Sequence, residues 1–94
     1  MVWRKKEPKH LFALGEVLIT PAAAQQLHLS GADPVSLLER HVTGDFGDAD
    51  REMNLAAAKG RDRVMSVYSC GAVVVWVMTE ADRSVTTILL PEEY

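Results

Sequence analysis

Apolar and polar positions along the chain change their spacing near Gly60, and that change divides the sequence into two kinds of element. Phe12 to Ile19 is a short apolar run with one charge, Glu16, and predicts a first strand. Thr20-Pro21 then reads as a helix start, since Thr caps free amides and Pro is tolerated in the first turn. That helix runs through Leu27 and ends near Ser30-Gly31. Asp33-Pro34 repeats the signal and opens a second helix from Pro34 to about Thr43, with Val35, Leu38 and Val42 on one helical face. Gly44-Asp45-Phe46-Gly47 breaks it. Asp48 or Asp50 caps a third helix, which reaches Lys59 and stops at Gly60.

Beyond Gly60 the pattern is that of strands. Arg63 to Ser69 alternates, Cys70-Gly71 reads as a tight turn, and Ala72 to Thr79 holds four valines and Trp76. Glu80 to Arg83 is a polar turn, and Val85 to Leu90 is a last strand ended by Pro91. The expected fold is α+β, in the order β-α-α-α-β-β-β, with the helices packed on one face of a four-stranded antiparallel sheet. The first strand is free to join the sheet at its edge or its centre. Within Ala72 to Thr79, Val73, Val75 and Val77 point one way and Val74, Trp76 and Met78 the other. Helices cover one of those faces. The other needs either a second copy or a partner protein, or the basic arm and the Pro91 to Tyr94 tail folded back over it.

Composition narrows the class without naming a function. The 94 residues, 48% hydrophobic and 24% charged, fit one globular domain, and are too few for a dinucleotide-binding, P-loop or methyltransferase domain. The longest apolar run, Ala72 to Met78, is far below the ~20 residues of a membrane helix, so no membrane association is expected. Met1 to His10 has no apolar core and does not read as a secretory signal. Cys70 is the sole cysteine, which leaves no internal disulfide and fits a cytoplasmic location. The net charge of −3 is unevenly spread. Residues 1–10 carry four basic groups against one acidic, a net +3, and residues 11–94 carry six basic against twelve acidic, a net −6. A basic and flexible arm thus precedes a single acidic domain at 11–94. An acidic body repels nucleic-acid backbones and suits a basic protein partner, so nucleic acid is expected at most on the arm.

Three groups of residues are candidates for chemistry. His41, at the end of the second helix, is either a general base or a helix-end residue favourable to the dipole. Asp45, Asp48, Asp50 and Glu52 lack the ligand spacing of a calcium loop, and no metal or other cofactor is expected. Glu80, Asp82, Arg83, Ser84, Thr86 and Thr87 put one guanidinium among hydroxyls and carboxylates, either to hold a phosphate or to fix a hairpin.

Two stretches carry a resemblance. His41-Val42-Thr43-Gly44-Asp45-Phe46-Gly47 resembles an H-x-x-G-D-[WF]-G signature, with Phe46 where Trp is commoner, and the chain's end resembles T-E-A-D-R-S-x-T-T-x-L-L-P-E-E-Y. Over about 80 residues, Gly15 to Tyr94, these are similar to a family of small proteins of bacterial plasmids, phages and genomic islands, whose third helix is longer. The family has no settled activity, and some members carry the label of a type I restriction methylation subunit. The resemblance implies a mobile-element accessory protein that binds other proteins, for example in counter-defence against restriction or CRISPR systems. Asp45, Phe46, Trp76, Glu80, Asp82 and Arg83 are the expected binding residues, and a homodimer through the sheet is a further expectation. The element order also resembles the small ribonuclease folds of barnase and the mRNA-cleaving toxins. That likeness implies a metal-independent ribonuclease, with His41 as base or acid, Arg83 on the phosphate, and Thr86 and Thr87 lining the cleft.

Overall fold

The computed structural model describes residues 9–94. Apart from Lys9 and His10, the expected basic arm lies outside them. The chain is α+β. Strand β1 (Glu16–Ile19) leads into helices α1 (Pro21–Ser30), α2 (Pro34–Thr43) and α3 (Arg51–Lys59), followed by β2 (Val64–Cys70), β3 (Val73–Thr79), β4 (Val85–Leu89) and a single 3₁₀ turn, Pro91–Glu93. Each helix begins where a side chain accepts a free amide: Thr20 from Ala23, Asp33 from Val35 and Asp50 from Met53. The first two open on proline and end on left-handed glycines, Gly31 and Gly44.

The sheet order is β1-β4-β3-β2. β2, β3 and β4 form the expected antiparallel meander, but β1 pairs parallel with β4, so the sheet is mixed rather than antiparallel throughout. A parallel pair needs a long crossover, which here is the three helices together with the β2–β3 hairpin. The first strand is also shorter than the apolar run Phe12 to Ile19. Gly15 takes φ +64° and lies so close to β4 that a side chain would strike the Ser84 carbonyl. Residues before it leave the sheet, and Phe12 turns into the helical layer.

The helices cover one face of the sheet. Ala23 and Leu27 of α1 and Leu37 of α2 pack on Tyr68, Val75, Val77 and Ile88. A second cluster joins Phe46, Ala57 and Val64, with Phe12, Leu55 and Ala58 against it. On the outer face stand Leu18, Met65, Val67, Val74, Trp76 and Met78, as strand alternation requires. The C-terminal tail covers part of this face. The ring of Tyr94 lies edge-on to Trp76 with centroids 5.5 Å apart, and Met78 and Leu89 are buried. Val74 and Leu18, at 40% and 47% exposure, stay open.

Candidate functional site

His41 lies in the last turn of α2 with its ring turned down onto the sheet, and it is 0% exposed. Nδ1 is 2.6 Å from Ser66 Oγ and Nε2 is 2.9 Å from Thr79 Oγ1. Thr79 Oγ1 lies 2.7 Å from Thr86 Oγ1, and Thr86 donates to the Leu14 carbonyl at 2.7 Å. Counting protons along this chain fixes the tautomer. Thr86 spends its hydroxyl proton on Leu14, so Thr79 donates to Thr86, and Thr79 must in turn accept from His41. The ring proton therefore sits on Nε2, and Ser66 donates to Nδ1. Burial, with a smaller contribution from the Arg83 charge, lowers the His41 pKa to about 4. Burial outweighs the attraction of a cation to the helix C-terminus, an effect of about 0.3–1 kcal/mol. The belt separates the two apolar clusters on the sheet: Ser66 lies between Val64 and Tyr68, and Thr79 two residues beyond Val77.

Arg83 also faces inward to backbone. It holds a left-handed φ of 62°, donates through Nη1 to the carbonyls of Asp62 and Glu80, and through Nη2 to those of Ala57 and Gly60. All four terminal N–H groups are thus spent, chiefly on the carbonyls left open where α3 ends. Phe12 stands between the two motifs. Its ring centroid is 5.0 Å from that of His41, at 85°, and the Arg83 guanidinium carbon lies 5.5 Å from the same centroid. The motifs meet in space, but across an aromatic ring. A shallow cleft of about 290 Å³ between Leu11, Ala58, Arg61, Asp82 and Arg83 opens beside this stack and does not reach the imidazole.

These positions correct the expected ribonuclease cleft. His41 has no solvent-facing nitrogen, and the terminal donors of Arg83 are used. Thr86 and Thr87 cannot line one cleft, because adjacent strand residues face opposite sides: Thr86 is buried in the His41 belt, whereas Thr87 pairs with Met78 on the outer face.

The expected binding residues separate in the same way. Phe46 is 2% exposed and belongs to the second core cluster, so it is not a surface contact. Asp45 pairs with Arg40 at 2.7 Å, which holds its carboxyl below the usual range, and accepts from the Gly47 amide. Arg40 lies over the Tyr68 ring at 4.5 Å, and Tyr68 donates to the Asp45 carbonyl. Asp82 accepts from the Ser84 amide within the turn, an arrangement that keeps its carboxyl ionised. Asp48 accepts from Ser69, and Asp50 caps α3. Glu80 pairs with Arg63, which also donates to the Tyr94 hydroxyl. Of the expected binding residues Phe46 alone is buried; Asp45 and Asp82 are exposed, and Trp76, Glu80 and Arg83 are half-buried.

Two features escaped the sequence reading. Asn54, in α3, donates to the Met65 carbonyl and accepts from the Met65 amide, so a side chain imitates a strand on the rim of β2. Beside it lies a groove of about 390 Å³, lined by Met53, Met65, Val67, Met78, Arg63 and Tyr94 among others. Period-two alternation in β2 puts Met65 and Val67 on the outer face, but nothing local announces that α3 brings Met53 alongside. The chain matches no family model, and no curated protein or solved structure is significantly similar to it. Among the described residues, no helix is long and apolar enough to cross a membrane.

Proposed function

We propose that this protein acts by binding another protein rather than by catalysis, as a small accessory factor of a mobile element. Counter-defence against a restriction or CRISPR system is the concrete form of this reading. The observation that carries it is the apolar groove on the outer sheet face. Flexible methionines and Val67 form its floor, while the polar cluster around His41 is closed. Methionine-rich surfaces adapt to a partner's side chains. Asp50 lines the groove, and its one lining guanidinium, Arg63, is already paired with Glu80, which suits a partner with an apolar centre and a basic rim. Localisation in the cytoplasm belongs to the same proposal.

A photo-crosslinking side chain placed at Val67 in the full chain tests it in the bacterial host. The expected result is a stoichiometric adduct with one basic protein, absent when the same group stands at Glu39 on α2. Equal and diffuse labelling from both positions overturns the proposal.

A further inference from the structure

The two edges of the sheet are finished differently. On β2 the outward backbone groups of Met65 and Val67 are occupied. Met65 is held on both its N–H and C=O by the Asn54 side chain, Val67 donates to the Phe46 carbonyl, and the Asp48 amide donates to Val67. On β1 nothing of the kind occurs among the described residues. Glu16 donates to Ser84 and Thr20 to Ile88, so the alternation of a parallel ladder turns the N–H and C=O of Val17 and Ile19 away from β4. The side chains there are aliphatic and open: Val17 41%, Leu18 47% and Ile19 38% exposed. Natural edge strands are usually blunted by lysine, proline, a bulge or a covering segment. β1 is short, at four residues, but among the described residues it carries no lysine, proline, bulge or covering segment, and its one charge, Glu16, stands at its start.

We infer that β1 is a homodimerisation edge, pairing antiparallel with β1 of a second copy about a two-fold axis at Leu18. The strand is self-complementary in this one register. Val17 of each copy faces Ile19 of the other as a hydrogen-bonded pair, so all four outward N–H groups and all four carbonyls are satisfied in four bonds. Leu18 meets Leu18 on the axis as a non-hydrogen-bonded pair, with Cα atoms about 4.5 Å apart and side chains in contact. Centring on Val17 instead sets Ile19 against Gly15, whose left-handed backbone leaves the strand. Centring on Ile19 sets Val17 against Pro21, which has no N–H. The charges agree with the same register. Each Glu16 faces Thr20 of the other copy, and the two Glu16 residues stand roughly 13 Å apart at 3.3 Å per residue. This palindrome selects a second copy over an unrelated strand, and the product is a continuous eight-stranded sheet.

Four strand residues per copy bury less than the ~800 Å² per partner of a standard interface, so association falls in the ~0.1 mM range rather than the nanomolar. Sedimentation equilibrium of the full chain from about 1 µM to 1 mM reads it directly. The expected result is a monomer–dimer equilibrium that Leu18→Lys weakens at least ~100-fold, by setting two ammonium groups against each other on the axis. Circular dichroism checks that the variant folds. A second reading does not depend on that: in a Cys70→Ser background, Leu18→Cys forms an intermolecular disulfide under mild oxidation and Glu16→Cys does not. A monomer throughout the range, a dimer indifferent to Leu18→Lys, or faster crosslinking at position 16 overturns the inference. Because the groove at Val67 is untouched by these changes, failure here leaves the proposed partner binding standing, and the reverse.

Discussion

Acidification is the sharpest perturbation of the His41 belt. An imidazole is ordinarily half protonated near pH 6.5, and His41 in the folded chain only near 4. Between those values the unfolded chain takes up a proton that the folded chain refuses. The stabilisation is therefore fully present above about pH 6.5 and is lost as pH falls toward 4, below which both states are protonated. At 1.36 kcal/mol per pH unit the loss accumulates to about 3 kcal/mol. A domain of this size is stable by roughly 5–14 kcal/mol, so the effect is a large fraction of the total. Carboxylates titrate in the same region, and a variant isolates the histidine. In His41→Gln the amide nitrogen can donate to Thr79 and the amide oxygen accept from Ser66, without a titrating ring. Urea denaturation followed by tryptophan fluorescence from pH 7.5 to 4, on both proteins, gives two stability curves. The wild-type curve minus the variant curve is expected to fall by about 3 kcal/mol on acidification. A flat difference, or one that rises, refutes the assignment of His41 as a neutral core residue.

Three further outcomes follow from the packing. Arg83→Lys replaces a four-bond fork by a single ammonium and frees carbonyls at the end of α3, so the midpoint of urea unfolding should drop by the equivalent of about 2–3 kcal/mol, with an unaltered fold by circular dichroism. Asn54→Asp keeps the acceptor for the Met65 amide but sets a carboxylate oxygen against the Met65 carbonyl; it should cost about 2 kcal/mol at pH 7 and recover part of that when the acid is protonated, as pH-dependent unfolding will show. Gly47→Ala should destabilise by more than Gly71→Ala, the latter by about 1 kcal/mol, because both positions hold φ near +65° but only at Gly47 does a side chain drive into the Val67 carbonyl; thermal melts of the pair compare them.

The elements were legible where the signal is local. Each helix start was written as an oxygen-bearing cap, twice followed by proline, and the second strand turn as the Glu80 to Arg83 segment; the first turn fell one residue late, at Gly71-Ala72, because Cys70 still pairs with Val73. The parallel pairing of β1 was not, because three intervening helices leave the direction of return open. Phe12 misled for a related reason. It continues an apolar run, yet its neighbour Gly15 turns left-handed to let β4 approach, and the ring swings into the helical layer between His41 and Arg83. At the site, pattern placed His41 at a helix end correctly but said nothing of which way the ring turns. That depends on Ser66 and Thr79, which are 25 and 38 residues away in sequence. Thr86 and Thr87 were separable in advance, since adjacent residues of a strand face opposite sides. The guarded edge at β2 depends on Asn54 and Gly47, whose roles appear only once α3 and the Phe46 loop are docked.

In the proposed reading, the two motif regions, at His41 and Arg83, hold the fold together while the outer sheet face binds the partner. Capture of the host partner by three proteins at equal concentration tests it most directly: the wild type, His41→Gln and Val67→Asp, each confirmed folded. His41→Gln is expected to retain the wild-type level of capture and Val67→Asp to lose it. Loss of capture with His41→Gln alone, with Val67→Asp unaffected, contradicts that reading and returns function to the buried imidazole.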